Sequence, residues 1–536
     1  MRYNFTILFY MTAKSQPVDL IIRNARIYTV DQEFTVAGAL AVKNGLFVGV
    51  GSDEEILKKF TSDQIINAGG KTIYPGFIDA HCHFLMYGRT LQKANLRDTK
   101  SFDEILAILK NHHKENPTGW LEGTGWDHND WPVKEFPDNQ QLNELFPDVP
   151  ALLTRIDEHA VLANEAAIRA AGIQPEDFAG TEIIRKDGKM TGIFLENAAG
   201  ALKKAIPPVS REGKEEALMK AQRNCFAVGL TSVHDAGLLY DDIALIDSLQ
   251  TRGDLKMRIY SMMLPDEKNM ARLAKGPVDK PRLHVASIKL FADGALGSRG
   301  AKLLAPYSDA PQTSGIFVND KEYLENICHK AYEAGFQVNT HCIGDAAVRR
   351  MLDIYEEIPG GPNDRRWRIE HAQIVAPEDV SRFGQLKVIP SVQTAHCTSD
   401  MYWAEERIGE RIRNAYIYRE LLKENGWLPN GSDFPIEEIN PVLGFYAGTV
   451  RKDPAGWPPG RFQPENSISR RDALRAMTIW AAKAAFEEKE KGSIETGKLA
   501  DFVMLDTDLM EAKEDQLVGS KALMTVSNGE IVYRKE

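Results

Sequence analysis

Short apolar stretches that end in polar residues recur through the middle of the chain, and each is followed by a stretch with helical spacing. Strands that alternate with helices are typical of parallel β/α architecture. Eight such units predict a closed (β/α)₈ TIM-type barrel rather than an open sheet. The eight predicted strands are TIYPGFIDAH, WLEGTGWD, GLTSVHDAG, VASIKLFADG, FQVNTHCIGD, RWRIEHAQ, KVIPSVQT and WLPNGSDFP.

A barrel alone needs about 250 residues. We therefore assign residues 73–490 to an α/β barrel domain and expect an insertion near residues 128–210. No tandem repeat is visible in the chain.

The two ends of the chain have a different pattern, in which short apolar runs alternate with turns. Residues 19–50 contain Lys43-Asn44-Gly45, and the last segment contains Ser527-Asn528-Gly529. Asn-Gly tolerates the positive φ of a type I′ hairpin turn. We expect residues 1–72 and 491–536 to form the two parts of one small β-sandwich.

Composition limits the class of protein. The chain has 536 residues, of which 43% are hydrophobic, and a formal net charge of −11. This composition excludes a mainly disordered chain, and the absence of a basic cluster argues against nucleic acid as a partner. The five cysteines form no CxxC pair, which is typical of a reducing compartment. No run approaches 18 apolar residues, and the apolar start FTILFYM is short. We therefore expect a cytoplasmic protein without a membrane partner.

The first predicted barrel strand ends in His81-Cys82-His83. Residues i and i+2 of a strand point to the same face, so His81 and His83 can bind one ion together. Imidazole suits zinc and similar divalent ions. A lone His-x-His could be two polar residues at the end of a strand, but Asp79 and the apolar strand before it favour a metal site.

Four more polar residues lie at predicted strand ends: Lys289, His341, His371 and Asp433. Residues from separate strands converge at the carboxyl-terminal mouth of a barrel, where active sites lie. Lys289 stands in an apolar run, where a buried ammonium group is costly unless it is paired. It could form a salt bridge with Asp293, or it could be carboxylated and bind metal through its carbamate.

These motifs resemble those of the metal-dependent amidohydrolase superfamily. Five further segments are similar to the branch that contains N-substituted formamide deformylase: KLFADGALGSRGA, THCIGDAAV, RIEHAQ, SVQTAHCTSD and GSDFP. One departure is Thr394, where that branch has proline. The resemblance covers nearly the whole chain and is specific for the branch but not for the substrate.

The resemblance implies a role for each candidate ligand. His81 and His83 would bind the more buried metal, His341 and His371 the second metal, and a carboxylated Lys289 would bridge them. Asp433 would contact the first metal and the attacking water. One or two divalent ions are expected, with zinc as the first choice, and a homodimer is a mild expectation.

The resemblance also implies the reaction, which is hydrolysis of a carbon-nitrogen bond in a small-molecule substrate, a linear amide or formamide. A divalent ion lowers the pKa of water toward about 7, and Asp433 would accept the water proton and return it to the leaving nitrogen. Polar and aromatic residues that could contact substrate are Trp126, His159, Gln393, His396 and Asp400.

Two alternatives remain open at this point. The same site could act on another bond, as a deaminase, a cyclic amidase, or an ester or lactone hydrolase. The chain could also be a non-catalytic barrel that serves as a scaffold, although such a relative should have lost ligand residues, and all six candidate positions are filled here.

Overall fold

The structure is a computed structural model that describes residues 15–115, 119–156, 160–174, 178 and 182–536. The chain forms two compact units. Residues up to Phe84 and Gln222–Glu536 form the first, called here the barrel unit, and Leu85–Ala221 form the second, called here the inserted unit. Among the described helices, none has the length and apolar character needed to cross a membrane.

The barrel unit contains the predicted parallel barrel, which confirms the fold class. Seven strands within the described residues follow one another in chain order, and each pairs in parallel with the next. Asn430 forms a parallel bridge to Val392, and Asp433 N donates to His81 O. The segment around residues 430–434 is therefore the eighth strand, and it closes the barrel. The seven strands are Phe77–Cys82, Leu230–Leu238, Arg258–Met263, Leu283–Phe291, Gln337–Cys342, Arg368–His371 and Ile389–Ser391.

Two details of the strand prediction were wrong. The predicted second strand WLEGTGWD contains Leu121–Trp126, which belongs to a separate sheet in the inserted unit. The missed barrel strand is Arg258–Met263, which is buried along its whole length. A strand buried on both faces need not alternate apolar and polar residues, and RIYSMM, with Arg258 and Ser261 buried among apolar residues, had no periodic signal.

The predicted first strand is in fact two strands separated by Gly76. Thr72–Pro75 pairs with Phe502–Leu505 in the sandwich, and Phe77–Cys82 enters the barrel. A Cβ atom at Gly76 would lie 2.3 Å from Thr231 Oγ1. Glycine at this position therefore allows the chain to pass close to the second barrel strand.

The helices of the barrel unit show ordinary start and stop signals. In Lys321–Ala334, the Asp320 side chain accepts a hydrogen bond from Tyr323 N at the start, and Gly335 ends the helix with φ of 80°. Such caps satisfy backbone groups that have no partner within the helix. The other helices are Asp53–Lys59, Tyr240–Arg252, Glu267–Arg272, Asp345–Glu357, Pro377–Leu386, His396–Asp400, Ala404–Ile408, Tyr418–Asn425, Pro441–Val450, Arg470–Ala476, Ile479–Ala484 and Glu514–Leu517.

Both ends of the chain contribute to a β-sandwich in the barrel unit. Asn44 and Asn528 have φ of 51° and 54°, as the predicted hairpin turns require. Buried apolar side chains, among them Leu40, Phe47 and Phe502, form the core. One sheet has the order Leu46–Gly51, Ala39–Lys43, Leu20–Arg23 and Ile65–Asn67; the other has the order Glu530–Arg534, Ala522–Ser527, Phe502–Leu505, Thr72–Pro75, Arg26–Tyr28 and Val36–Ala37.

The inserted unit, at residues 85–221, is wider than the insertion predicted near 128–210. It has its own mixed sheet and two clusters of buried apolar side chains. Its strands, in sheet order, are Ala94–Asn95, Leu121–Trp126, Ala151–Arg155, Ala160–Ala163, Lys189–Leu195 and Ile183–Lys186; its helices include Phe102–Glu115, Gln140–Leu145, Glu165–Ala171 and Glu196–Ala205. Phe84–Thr90 and Arg211–Ala227 are helices at the unit boundaries.

Candidate active site

The structure brings the six predicted ligand residues together at the carboxyl-terminal ends of the barrel strands. All of them belong to the barrel unit. They come from strands one, four, five, six and eight, so that segments far apart in the sequence form one site. The six residues are His81, His83, Lys289, His341, His371 and Asp433.

The shortest distances within the site join Asp433 and His81 to their neighbours. Asp433 Oδ1 lies 3.1 Å from His83 Nε2 and 3.5 Å from His81 Nε2. Lys289 Nζ lies 3.3 Å from His81 Nε2. The ring of His371 lies 5.0 Å from that of His81 and 4.5 Å from that of His341, between ring centroids.

A metal ion fits the donors that face one another here. His81, His371 and Asp433 each offer a ligand atom, and these atoms lie within 4.8 Å of one another. Within the described residues, the buried His371 Nδ1 has no hydrogen-bond partner, and the buried Asp433 Oδ1 faces His83 Nε2 at 3.1 Å. Such buried polar atoms are costly unless they are satisfied, and nitrogen and carboxylate donors suit zinc.

Burial favours the neutral form of His341 and His371. It lowers the pKa of His341 to about 3, and it lowers the pKa of His371 well below the ordinary value, with His341 adding to the effect. Neutral imidazole has the lone pair that binds a metal. Burial also lowers the pKa of Lys289, although the carboxylates of Glu370 and Asp433 oppose the shift.

Asp433 is held as a carboxylate by its neighbours. Burial raises its pKa, but His396 and His83 outweigh that effect, and the pKa lies well below the ordinary value. His396 Nε2 lies 3.4 Å from Asp433 Oδ2, while His396 Nδ1 lies 3.0 Å from Glu437 Oε1. The two oxygens of Asp433 therefore face different partners.

The strand ends themselves are joined beneath the site by Asp79. Its Oδ1 accepts a hydrogen bond from His81 N at 3.0 Å, and its Oδ2 accepts one from Ser432 Oγ at 2.6 Å. Burial raises the pKa of Asp79 to about 7. This carboxyl group links strand one to strand eight next to the candidate ligand residues.

The residues predicted to contact substrate have different environments. Gln393 is buried, and within the described chain its Oε1 has no hydrogen-bond partner. Asp400 accepts hydrogen bonds from Gln373 Nε2 and from the Tyr416 hydroxyl. His396 lies next to Asp433, as described above. For these three residues, contact with substrate stays a prediction.

The other two predicted substrate residues come from the inserted unit. Trp126 is 1% exposed, packs in the core of that unit, and donates its indole N–H to Leu153 O. The structure thus gives Trp126 a packing role, because its apolar ring and its polar atom both have partners inside the unit. His159 lies outside the described residues.

Sequence reasoning missed two carboxylates at this site, Glu370 and Glu437. Glu370 Oε2 lies 2.6 Å from His81 Nδ1. The motif RIEH contained a signal, since a glutamate inside an apolar strand needs a polar partner. Glu437 follows the eighth strand in a loop, where an acidic residue is ordinary and carries no signal.

A small cavity lies next to Glu437 in the barrel unit. It has a volume of about 200 Å³ and is lined by residues that include Ala395, Ser399, Glu437, Leu443 and Tyr446. A cavity of about 150 Å³ is large enough to hold a benzene ring. It therefore has room for a small apolar group close to His396.

A parallel barrel whose strand ends hold histidines, a lysine and an aspartate defines the class of metal-dependent hydrolases. The profile of the amidohydrolase family matches residues 64–533. The chain therefore belongs to the amidohydrolase family, and the resemblance inferred from its motifs is confirmed.

Similar proteins extend over nearly the whole chain. The putative amidohydrolase YtcJ of Bacillus subtilis is 32% identical over 522 residues, which are 95% of this chain and 98% of the relative. N-substituted formamide deformylase of Arthrobacter pascens is 27% identical over 546 residues, 97% of this chain and 99% of the relative. The crystal structure of an uncharacterized metal-dependent hydrolase from Pyrococcus furiosus has a TM-score of 0.78 and 27% identity, covering 92% of this chain and 100% of that structure.

Proposed function

We propose that the protein hydrolyses a carbon-nitrogen bond in a linear amide or formamide, with Asp433 as general base and then general acid. The observation that carries the proposal is the convergence of the six ligand candidates around Asp433, whose Oδ1 lies 3.1 Å from His83 Nε2. Support for the bond comes from the formamide deformylase of Arthrobacter pascens, which is similar over nearly its full length.

In this proposal the ligands divide into two groups. His81, His83 and Asp433 would hold one divalent ion, and His341 and His371 would hold a second. Zinc is the ion we propose, because the donors are imidazole and carboxylate. A divalent ion lowers the pKa of water toward about 7 and polarises a carbonyl oxygen.

We further propose that Lys289 would be carboxylated and that its carbamate would serve as an oxygen ligand to both ions. Its alternative partner, Asp293, is already engaged, because this carboxylate accepts hydrogen bonds from Lys302 N, Ile343 N and Gly344 N. Lys289 Nζ lies instead 3.3 Å from His81 Nε2. Burial favours the neutral amine, which is the form that can add carbon dioxide.

Asp433 is the proton carrier in this proposal. A carboxylate held ionised can accept a proton from water and return it to the leaving nitrogen, since amines leave poorly unless they are protonated. His396 lies beside Oδ2 and leaves Oδ1 facing the histidines of strand one. In this arrangement, the residue that receives the proton is already oriented before substrate binds.

The first experiment measures metal content per chain by elemental mass spectrometry, in protein purified without chelator. We expect about two ions in the parent protein and clearly fewer in Lys289→Ala. Lys491→Ala is the matched control, because Lys491 is also buried but pairs with Glu487 elsewhere in the unit. Absence of metal in the parent, even after zinc and bicarbonate are added, would favour the scaffold alternative.

The second experiment identifies the bond with a panel of substrates. The panel contains N-substituted formamides, linear amides, cyclic amides, amino-heterocycles, and esters with lactones. We expect the highest kcat/KM with formamides or linear amides. Preference for amino-heterocycles, cyclic amides or esters would replace the proposed bond with the corresponding alternative while leaving the metal site in place.

A further inference from the structure

A chain of charged groups lies fully inside the barrel, below the ligand residues. Arg368, Glu370 and His81 are each 0% exposed. Glu370 Oε2 lies 2.6 Å from His81 Nδ1, and Glu370 Oε1 lies 3.7 Å from Arg368 Nη1. A guanidinium group and a carboxylate are rarely buried unless they are paired, so these residues depend on one another.

Arg368 is fixed by several parts of the barrel unit. Its Nη1 donates to Ala80 O at 3.3 Å and to His234 Nδ1 at 3.3 Å, and its Nη2 donates to Ala484 O at 2.7 Å. These contacts join strand six to strands one and two and to a helix end. The cation that faces Glu370 therefore has little freedom to move.

The backbone at strand six places Glu370 in the interior as well as His371. Neighbouring residues of a regular strand point to opposite faces. His371, however, has φ of 72°, so the strand changes direction at this residue. As a result, both side chains of strand six lie next to His81. Glu370 contacts its Nδ1, and the ring of His371 lies 5.0 Å from its ring.

We infer that Glu370 is a positioning residue that fixes the orientation and the tautomer of His81, with Arg368 as its anchor. His81 Nδ1–H donates to the carboxylate, and the lone pair of Nε2 faces Lys289 and Asp433. A second partner of this kind typically changes metal affinity 10–100-fold. The inference rests on the proposed metal site for its effect on affinity, but the tautomer exists without metal.

The test compares Glu370→Gln and Glu370→Ala with the parent protein in two measurements. The first is the ¹⁵N NMR signal of His81 in zinc-free protein labelled at histidine, assigned with His81→Gln. The second is the apparent zinc Kd from competition with a chelator. Asp379→Asn is the matched control, because Asp379 is a buried carboxylate that pairs with Arg349 and Arg382 far from His81 in the sequence.

We expect the parent to carry the His81 proton on Nδ1. Glu370→Ala removes the acceptor, and Glu370→Gln places an amide there that can also donate to Nδ1, so both should shift the proton toward Nε2. Both should weaken zinc binding about 10–100-fold, and Asp379→Asn should bind zinc as the parent does. Glu370→Gln keeps the size of the side chain, and it serves as the test if Glu370→Ala fails to fold.

Two results would overturn the inference: a proton on Nε2 of His81 in the parent, or unchanged tautomer and zinc affinity in the Glu370 variants. A purely structural role for Glu370 would lower thermal stability without changing either measurement. If the parent binds no zinc, the metal site fails, yet the NMR signal of the zinc-free parent still decides whether Glu370 sets the tautomer.

Discussion

Two ligand candidates have backbone conformations with positive φ, which residues other than glycine rarely adopt. His371 and Asp433 have φ of 72° and 65°. Each such residue costs on the order of 1–3 kcal/mol and persists where the surrounding structure fixes it. At His371 and Asp433 this conformation directs both side chains into the mouth of the barrel, where the other candidate ligands lie.

The role of Asp433 predicts the effect of Asp433→Asn. An amide has nearly the same size but does not accept a proton from water, so kcat should fall about 10²–10⁴-fold. The measurement is steady-state kinetics on the best amide of the panel, at saturating zinc. Asp379→Asn is the control, since that buried carboxylate pairs with Arg349 and Arg382 and has no assigned role at the site. Activity within threefold of the parent in Asp433→Asn would exclude Asp433 as the proton carrier.

At the scale of single residues, the sequence predicted the candidate ligands at the ends of the barrel strands. It missed Glu370, which contacts one of these ligands from inside the barrel. The histidines and Asp433 follow apolar strands, so their convergence follows from barrel geometry. Glu370 was missed because strand alternation predicts that it points away from His371, and only the positive φ of His371 reverses this. The burial of Trp126 was missed because its strand was assigned to the barrel.

At the scale of elements, the site depends on how closely strand eight approaches strand one. A Cβ atom at Gly431 would lie 2.3 Å from His81 N and 2.7 Å from Asp79 Oδ1. The backbone of His81 cannot move away from this position without separating the two strands. The glycine before Ser432 and Asp433 is therefore required by packing.

Gly431→Ala should destabilise the protein by about 1–3 kcal/mol, as overpacked cores do, and should weaken zinc binding because His81 and Asp433 move apart. Thermal unfolding and chelator competition measure the two effects. Gly460→Ala should change neither, because a Cβ atom at that position meets no atom within 4 Å in the described chain. Equal behaviour of the two variants would contradict the close approach at Gly431.

A buried ion pair joins the third barrel strand to the sandwich. Arg258 Nε lies 2.7 Å from Asp501 Oδ2, and both side chains are 4% exposed. Burial raises the pKa of Asp501, but Arg258 outweighs this effect and lowers the pKa below the ordinary value of 3.8. The carboxylate thus stabilises the fold at neutral pH, and this stabilisation is lost as the pH falls through the lowered pKa.

Asp501→Ala should cost about 3–5 kcal/mol at pH 7, because it leaves Arg258 buried without its partner. The difference in the free energy of unfolding between Asp501→Ala and the parent should become smaller as the pH falls below about 4. Thermal unfolding at a fixed scan rate measures both effects. Asp241→Ala is the control, since its pair with Lys268 is exposed, and it should have little effect at either pH. If the difference in the free energy of unfolding between Asp501→Ala and the parent is the same at every pH, Asp501 is not the ionised partner of Arg258.

The strand Leu121–Trp126, which the sequence pattern assigned to the wrong sheet, shows that periodicity predicts a strand but not its partners. Leu121–Trp126 and Arg258–Met263 are both short strands next to helices, and nothing in their own residues says which sheet they join. That choice depends on partners distant in sequence. The helices were easier to predict, because capping residues such as Asp320 and Gly335 act within one turn.

At the scale of the whole molecule, closure of the barrel joins the two ends of the chain. Strand one pairs with the segment around residue 430, and Thr72–Pro75 pairs with Phe502–Leu505. The α/β barrel could be predicted because the alternation of strands and helices is visible directly in the sequence. The limits of the inserted unit could not be predicted, because residues 85–221 use the same kinds of strand and helix as the barrel.

Because the proposed ligand residues come from five strands of the closed barrel, a bound metal ion should stabilise the entire barrel unit. An ion that binds only the native state adds RT ln(1 + [L]/Kd), about 2.7 kcal/mol at a hundredfold excess over Kd. We expect the Tm of chelator-treated protein to rise by a few degrees when zinc is restored at that excess. His83→Ala should abolish the rise, because its imidazole is one of the proposed ligands, whereas Asp379→Asn should retain it. An equal rise in His83→Ala and in the parent would place the stabilising ion somewhere other than the barrel mouth.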